Sequence, residues 1–409
     1  MTVEIRSGQG EDVLALAAPL TRYAFRASPA ASPPSPPAAA PASGDPKSPD
    51  AASTSPPAGA EPVCHVAIED GRPVATVLVH SMRQNVRGAV VPMAGVAGVA
   101  THPEARRRGH MRTLLSHALV DARDRGLMVS CLYPVRASFY ERFGYVSLPR
   151  PITATFSSAS LIPTLGAGVD GEVVLQSAAD GGAEAVEFVE RQVAGRHGRV
   201  GRADLLRELG QVWLAIARRG GEVVGLMAYT LSGYAGELAS GLFLFEDPAA
   251  RLLLLQWIAR HDGQIATVRL SLPPDAHPEL WCTDFAVKSV AETVYPGSPA
   301  PMGRLLSLDA LNGMCTSSAA SVTVAVTDVV LGADSVCHLI SGDGRRVTAE
   351  PAAGEPALTI TGPGLAALVY GAQSSDELAA YGRVRGAEAD RRRLDELFPA
   401  ASPYLASSF

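Results

Sequence analysis

Val99-Ala100-Thr101-His102-Pro103-Glu104-Ala105-Arg106-Arg107-Arg108-Gly109-His110-Met111-Arg112 is the stretch on which the reading of this chain turns. The apolar run that leads into it, from Met93, predicts a buried central strand. Met111, Leu114, Leu115, Ala118 and Leu119 recur at helical spacing behind it, and Gly126 marks the stop. The stretch is therefore a strand-to-helix junction. A helix start presents unpaired N–H groups and a partial positive charge, and a glycine there lets a ligand approach the backbone closely. Four arginines, Arg106, Arg107, Arg108 and Arg112, surround that point. A pyrophosphate suits such a place, held by main-chain donors and charge-assisted guanidinium bonds. The spacing is neither GxxxxGK[ST] nor GxGxxG. The plainer alternative is an arginine-rich first turn on an exposed helix.

Outward from the junction the elements alternate. Val3 and Ile5 mark a short strand, and Val13, Leu14, Leu16, Ala17 and Leu20 a helix behind Glu11 and Asp12. CHVAIED and VATVLVHSMR flank the turn signal Asp70-Gly71-Arg72-Pro73 and predict a hairpin. After the junction helix, LMVSCLY predicts a buried strand, PVRASFYERFG a short helix or turn, and YVSLP a closing strand. The order through residue 148 is β-α-loop-β-β-β-α-β-α-β. Residues 149–300 run through similar elements: VVLQ, helical AEAVEFVERQVA and RADLLRELG, strands VWLAIAR, EVVGLMAYTL and ELASGLFLF, helix ARLLLLQWIARHDG and strand TVRLSL. That predicts a degenerate second copy without the arginine–glycine junction. Residues 301–409 change to strands first and helices later, a smaller α+β unit. Three domains are expected, 1–148, 149–300 and 301–409, in an α/β (α+β) chain.

Composition narrows the function. Of 31 prolines, 11 lie in residues 27–62, a segment without Leu, Ile, Val, Met or aromatics. It is expected to be a disordered or polyproline-like insertion in the first domain. A net charge of −6 removes bulk attraction to nucleic acid or an anionic membrane. Five scattered cysteines with no CxxC pair support neither a disulfide framework nor a metal site. His102 and His110 have no partner at metal or triad spacing, and Cys131 lies inside an apolar strand. With no secretory signal and no apolar run of about 20 residues, a cytoplasmic protein is expected.

Arg106-Arg107-Arg108-Gly109-His110-Met111 resembles the acyl-CoA loop of the GNAT acetyltransferases, Q/R-x-x-G-x-G/A, except for the final Met. SFYERFGY, Ser138 to Tyr145, is similar to the segment whose first tyrosine in many of these enzymes protonates the departing CoA thiolate. The whole plan resembles the Eis (enhanced intracellular survival) family: a GNAT domain, a degenerate GNAT domain and a sterol-carrier-protein-like domain. The resemblance implies direct acetyl transfer from acetyl-CoA, a cosubstrate, to a primary amine of an aminoglycoside-like antibiotic, a polyamine or a lysine. It implies Tyr140 as general acid, and a CoA site formed by Val99, Ala100, Thr101, Arg107, Arg108, Gly109, His110, Met111, Arg112, Val135 and Arg136. N–H groups near Val99 to Thr101 would meet the oxyanion. It implies the α-carboxylate of Phe409 as general base. A free α-carboxyl, with a pKa of about 3.3–3.7, would need partial burial to serve. It also implies a homohexamer.

The chain departs from the family where Ser408 replaces a glutamate, where Gly98 replaces an aromatic residue, and where Tyr23-Ala24-Phe25-Arg26 lacks an acidic group. Fewer carboxylates favour a general amine acceptor over a polycationic drug. An acetyltransferase for one secondary-metabolite amine and a non-catalytic acyl-CoA-binding scaffold are the rival readings.

Overall fold

The computed structural model describes residues 3–25, 61–177, 180, 182–201, 212–292, 300–332 and 336–405. Nearly all of the expected proline-rich insertion, the helix expected at RADLLRELG, and Phe409 lie outside the described residues. The first unit runs β1 (Val3–Gly8), α1 (Glu11–Phe25), β2 (Val63–Glu69), β3 (Arg72–Val86), β4 (Ala89–Thr101), α2 (His110–Asp124), β5 (Val129–Leu132), α3 (Ala137–Tyr140) and β6 (Val146–Ser147). This is the order read from the sequence.

The second unit holds β7 (Ile152–Phe156), β8 (Glu172–Ser177), α4 (Gly182–Gly195), β9 (Val200–Gly201), β10 (Trp213–Arg219), β11 (Glu222–Leu231), β12 (Gly236–Phe245), α5 (Pro248–Ala259), β13 (Ile265–Leu272) and β14 (Val287–Val290). Then comes β15 (Met302–Leu305). The third unit has β16 (Ser321–Thr327), β17 (Cys337–Gly342), β18 (Val347–Pro351), β19 (Leu358–Thr361), α6 (Gly362–Val369), α7 (Ser375–Ala380), β20 (Val384–Gly386) and α8 (Glu388–Leu397).

The first two sheets share one plan. Strands follow in the order β1-β2-β3-β4-β5-β15-β6 in the first and β8-β10-β11-β12-β13-β7-β14 in the second. Each has a single parallel pair, β4 with β5 and β12 with β13, bridged by α2 or α5. In each, the sixth strand comes from the linker to another unit. β5 and β6 do not pair with each other; Met302–Leu305 fills the gap, with Arg304 opposite Ser130 and Met302 opposite Ser147. The expected boundary at 301 is therefore corrected: residues 302–305 complete the first sheet, because without them the backbone donors and acceptors of β5 would face the interior unpaired. β7 and β14 also went unread, and they complete the second sheet in the same manner.

α2 buries Leu114, Leu115, Ala118 and Leu119 against Val77, Val79, Ala94 and Val96 of the first sheet. Each buried leucine contributes about 1.5–3 kcal/mol, so the helix that carries the junction is held firmly. On the opposite face Met93, Val129 and Cys131 pack with Leu365–Tyr370 of the third unit and with Leu405. α6 is buried all round, from Gly364 to Val369. The apolar positions of α6 are thus used in a core shared between the first and third units.

Candidate active site

β4 and β5 pair only at Met93–Val129, Ala94–Ser130 and Gly95–Cys131, yet β4 runs on to Thr101. The two strands splay beyond that point. On its other edge β4 carries a bulge, with Val77 facing both Gly98 and Val99. Gly98 sits at φ +57°, and a Cβ there would come within 2.7 Å of the Leu78 side chain. The bulge re-aims the backbone of Val99 to Thr101. A cleft of about 790 Å³ opens in the splay.

Its upper wall is the junction. Arg107 and Gly109 both have positive φ, 63° and 90°, and Gly109 is the N-cap of α2 with no side-chain cap. The first amides of α2 thus lack intrahelical partners, and nothing lies within 4 Å of where a Gly109 Cβ would be. Such turns gather N–H groups into an anion-binding concavity. All twelve described residues expected at the site line this one cleft: Val99, Ala100, Thr101, Arg107, Arg108, Gly109, His110, Met111, Arg112, Val135, Arg136 and Tyr140.

The charge on the walls is one-sided. Arg106, Arg107, Arg108 and Arg112 stand on the α2 side and Arg136 and Arg142 on the α3 side, with no carboxylate among the lining residues. Glu69, itself buried, steadies Arg108 from behind at 2.5 Å, and His110 Nε2 lies 3.6 Å from the same carboxylate oxygen. Tyr140 is 5% exposed and leans edge-on against Phe139 and Tyr145. Burial pushes its phenol up to about 12, so it stays protonated as a donor at neutral pH.

Residues 4–147 match the family model of the acetyltransferase (GNAT) domain, and residues 309–406 that of the sterol carrier protein domain. The chain is a GNAT-type N-acetyltransferase. It is 28% identical over 319 residues, 73% of this chain and 76% of the relative, to an uncharacterized N-acetyltransferase of Streptomyces coelicolor. Among solved structures it resembles a GCN5-related N-acetyltransferase of Kribbella flavida at 25% identity and TM-score 0.72, covering 85% of this chain and 87% of that one. It also resembles Eis1 of Mycobacterium abscessus at 19% identity and TM-score 0.76, covering 100% of both chains.

The second unit offers a contrast at the matching point of its sheet. There too the fourth strand is bulged, at Gly241 between Ser240 and Leu242, and a helix joins the parallel pair. The start of that helix is closed, however. Asp247 caps α5 by accepting from the Ala250 amide at 2.8 Å, Pro248 supplies no N–H, and Arg219 engages both Asp247 oxygens at 2.8 and 3.2 Å. Arg219, with the Ala250 amide, holds the Asp247 carboxyl at about 2. A fixed anion occupies the place that the first unit leaves open for one.

Sequence reasoning left Ala24, Phe25, Ala105, Phe139, Arg142 and Phe143 out of the lining, and counted Arg106 only among the four arginines of the junction. Arg106 and Arg142 lay within the quoted motifs. Phe25 is 57% exposed at the end of α1, and its apolar side chain just before the proline-rich stretch was the available signal. Phe143 is buried and lines the cleft as well. Among the described residues no group of three or more His, Cys, Asp or Glu could hold a metal ion, and no helix is long and apolar enough to cross a membrane.

Proposed function

We propose that the enzyme is of the Eis type and transfers the acetyl group of acetyl-CoA directly to a primary amine in a ternary complex. The observation that carries this is the convergence of the open helix start, six arginines and the protonated Tyr140 phenol on one cleft between splayed strands. The amides and guanidinium groups at Arg107–Arg112 suit a pyrophosphate, and the splay admits a narrow arm towards Tyr140. The neutral amine attacks the thioester carbonyl, and N–H groups of Val99 to Thr101 meet the developing oxyanion. Tyr140 then gives its proton to the thiolate as the C–S bond breaks.

The base is assigned to the α-carboxylate of Phe409. Supporting this, Tyr404 and Leu405 are each 1% exposed, and Leu405 shares a core with Cys131 of β5. Four further residues reach at most about 14 Å, and β5 leads directly into Tyr133 and the cleft wall. A general amine acceptor fits better than a polycationic drug, and a hexamer remains the assembly the Eis resemblance implies.

Release of CoA from acetyl-CoA against kanamycin, spermidine and lysine peptides tests the activity. Tyr140→Phe is expected to lower kcat by about 10²–10⁴ with KM for acetyl-CoA little changed. Undiminished turnover removes the acid role. Residues appended after Phe409 are expected to abolish turnover, and no effect removes the carboxylate role. Tight acetyl-CoA binding without turnover on any amine would point to a scaffold.

A further inference from the structure

The geometry points to Arg304 as a positioning residue for the acetyl transfer, holding the turn that carries Tyr140. The inference rests on the reading of Tyr140 as the acid. Arg304 enters the first sheet on β15, opposite Ser130. Its side chain is 1% exposed and the largest of the fully buried ones. Burying a guanidinium costs several kcal/mol unless its donors are met. Here three groups meet them, one on the turn after Tyr140, one on the arginine's own strand and one just beyond β16.

Nη1 donates to the carbonyl oxygen of Phe143, Nη2 to Asp328 Oδ2 at 2.7 Å, and Nε to the Leu305 carbonyl at 3.1 Å. Phe143 closes the 3-10 turn Glu141–Phe143 that follows Tyr140, and Gly144 leaves it at φ +82°. A Cβ on Gly144 would stand 3.2 Å from Arg304 Nη1, so the glycine admits the guanidinium as well as the turn. The Arg304 cation also lies over the Tyr145 ring, 5.9 Å from its centroid. Tyr145 is tied at its hydroxyl to Ser130 Oγ at 2.7 Å and presents its ring to the edge of Tyr140. Asp328 is anchored in turn, its Oδ1 accepting the amides of Val330 and Leu331 at 2.9 Å.

Thus a carbonyl of the turn that follows Tyr140 and the Tyr145 ring packed against it meet at one arginine supplied from beyond the second unit. A hydrophobic side chain would fill the space and hold the strand, but it would not bind the Phe143 carbonyl. The planar fork, not the charge alone, makes three contacts at once. Arg304→Lys keeps the charge and loses the fork.

CoA release from acetyl-CoA is measured with spermidine, kanamycin and lysine methyl ester, and with water alone where none of these turns over. Arg304→Lys is expected to lower kcat about tenfold or more while KM for acetyl-CoA stays within about twofold. In the Tyr140→Phe background the same change is expected to have no further effect, since the group it positions is gone. Losses that multiply would assign Arg304 to general stability and overturn the inference. An inert Tyr140→Phe overturns the acid reading beneath it, whereas a damaging Tyr140→Phe beside an innocuous Arg304→Lys overturns this inference alone. If Arg304→Lys does not fold, Asp328→Asn, which preserves the Oδ1 acceptor and removes the charge at Nη2, decides by the same cycle.

Discussion

Gly109→Ala separates the two things the junction does. Gly109 sits at φ +90°, where an L side chain is strained, yet the site of its missing Cβ is empty. The cost in the free protein is therefore conformational only, about 1–2 kcal/mol. Spread over a unit of this size, that lowers the thermal midpoint by roughly 2–8 °C. The effect on ligand is larger, because the new methyl enters the cleft between Arg108 and the first amides of α2, where the phosphates are expected to lie. Relief of the strain would also turn those amides away. Losing two or three charge-assisted hydrogen bonds at about 1.5 kcal/mol each weakens acetyl-CoA binding by roughly 10²–10³-fold. Titration calorimetry with acetyl-CoA and a thermal melt of the free protein measure the two effects independently. An affinity within twofold of the unaltered enzyme would refute the reasoning, whatever the melt shows.

His65 is wholly buried, with Nδ1 2.8 Å from Ser7 Oγ, and burial lowers its pKa to about 4 against the pull of Asp121. Below pH 6.5 the unfolded chain takes up a proton that the folded one refuses. Stability is thus expected to fall by about 3 kcal/mol between pH 6.5 and 4 and not further below. His65→Gln should lose that share of the pH dependence, and equal slopes by denaturant titration would count against it. Asp247→Ala is expected to cost about 1 kcal/mol through the lost cap of α5. The unaltered enzyme should bind one acetyl-CoA per chain, and a stoichiometry of two would end the view of Asp247 as a plug.

The first unit was legible because its signals are local. An apolar run, a glycine and a helical period sit next to one another in the chain, and so do the residues of SFYERFGY. The strands β7 and β15 carry no such signal. Met302–Leu305 is four residues long with a buried arginine in it, a pattern that reads as surface, and its partners Ser130 and Ser147 are more than a hundred residues away. Only tertiary pairing makes it a strand. Phe25 reached the cleft unread for the same reason: its exposure at a helix end says nothing of what the helix end faces. The Asp247-Pro248 pair was legible as a helix start, but its meaning required seeing that α5 stands where α2 does.

The strand at Met302–Leu305 also sets the order of assembly during synthesis. Chains emerge from the ribosome N-terminus first at about 5–20 residues per second, and β15 follows β6 by about 150 residues. For roughly 10–30 s the acetyltransferase sheet exists with β5 and β6 unjoined, two strand edges open to any neighbour. Residues 1–148 expressed alone would remain in that condition permanently. The first sheet is thus contiguous in space but not in sequence, and a segment cut at residue 148 leaves out one of its inner strands.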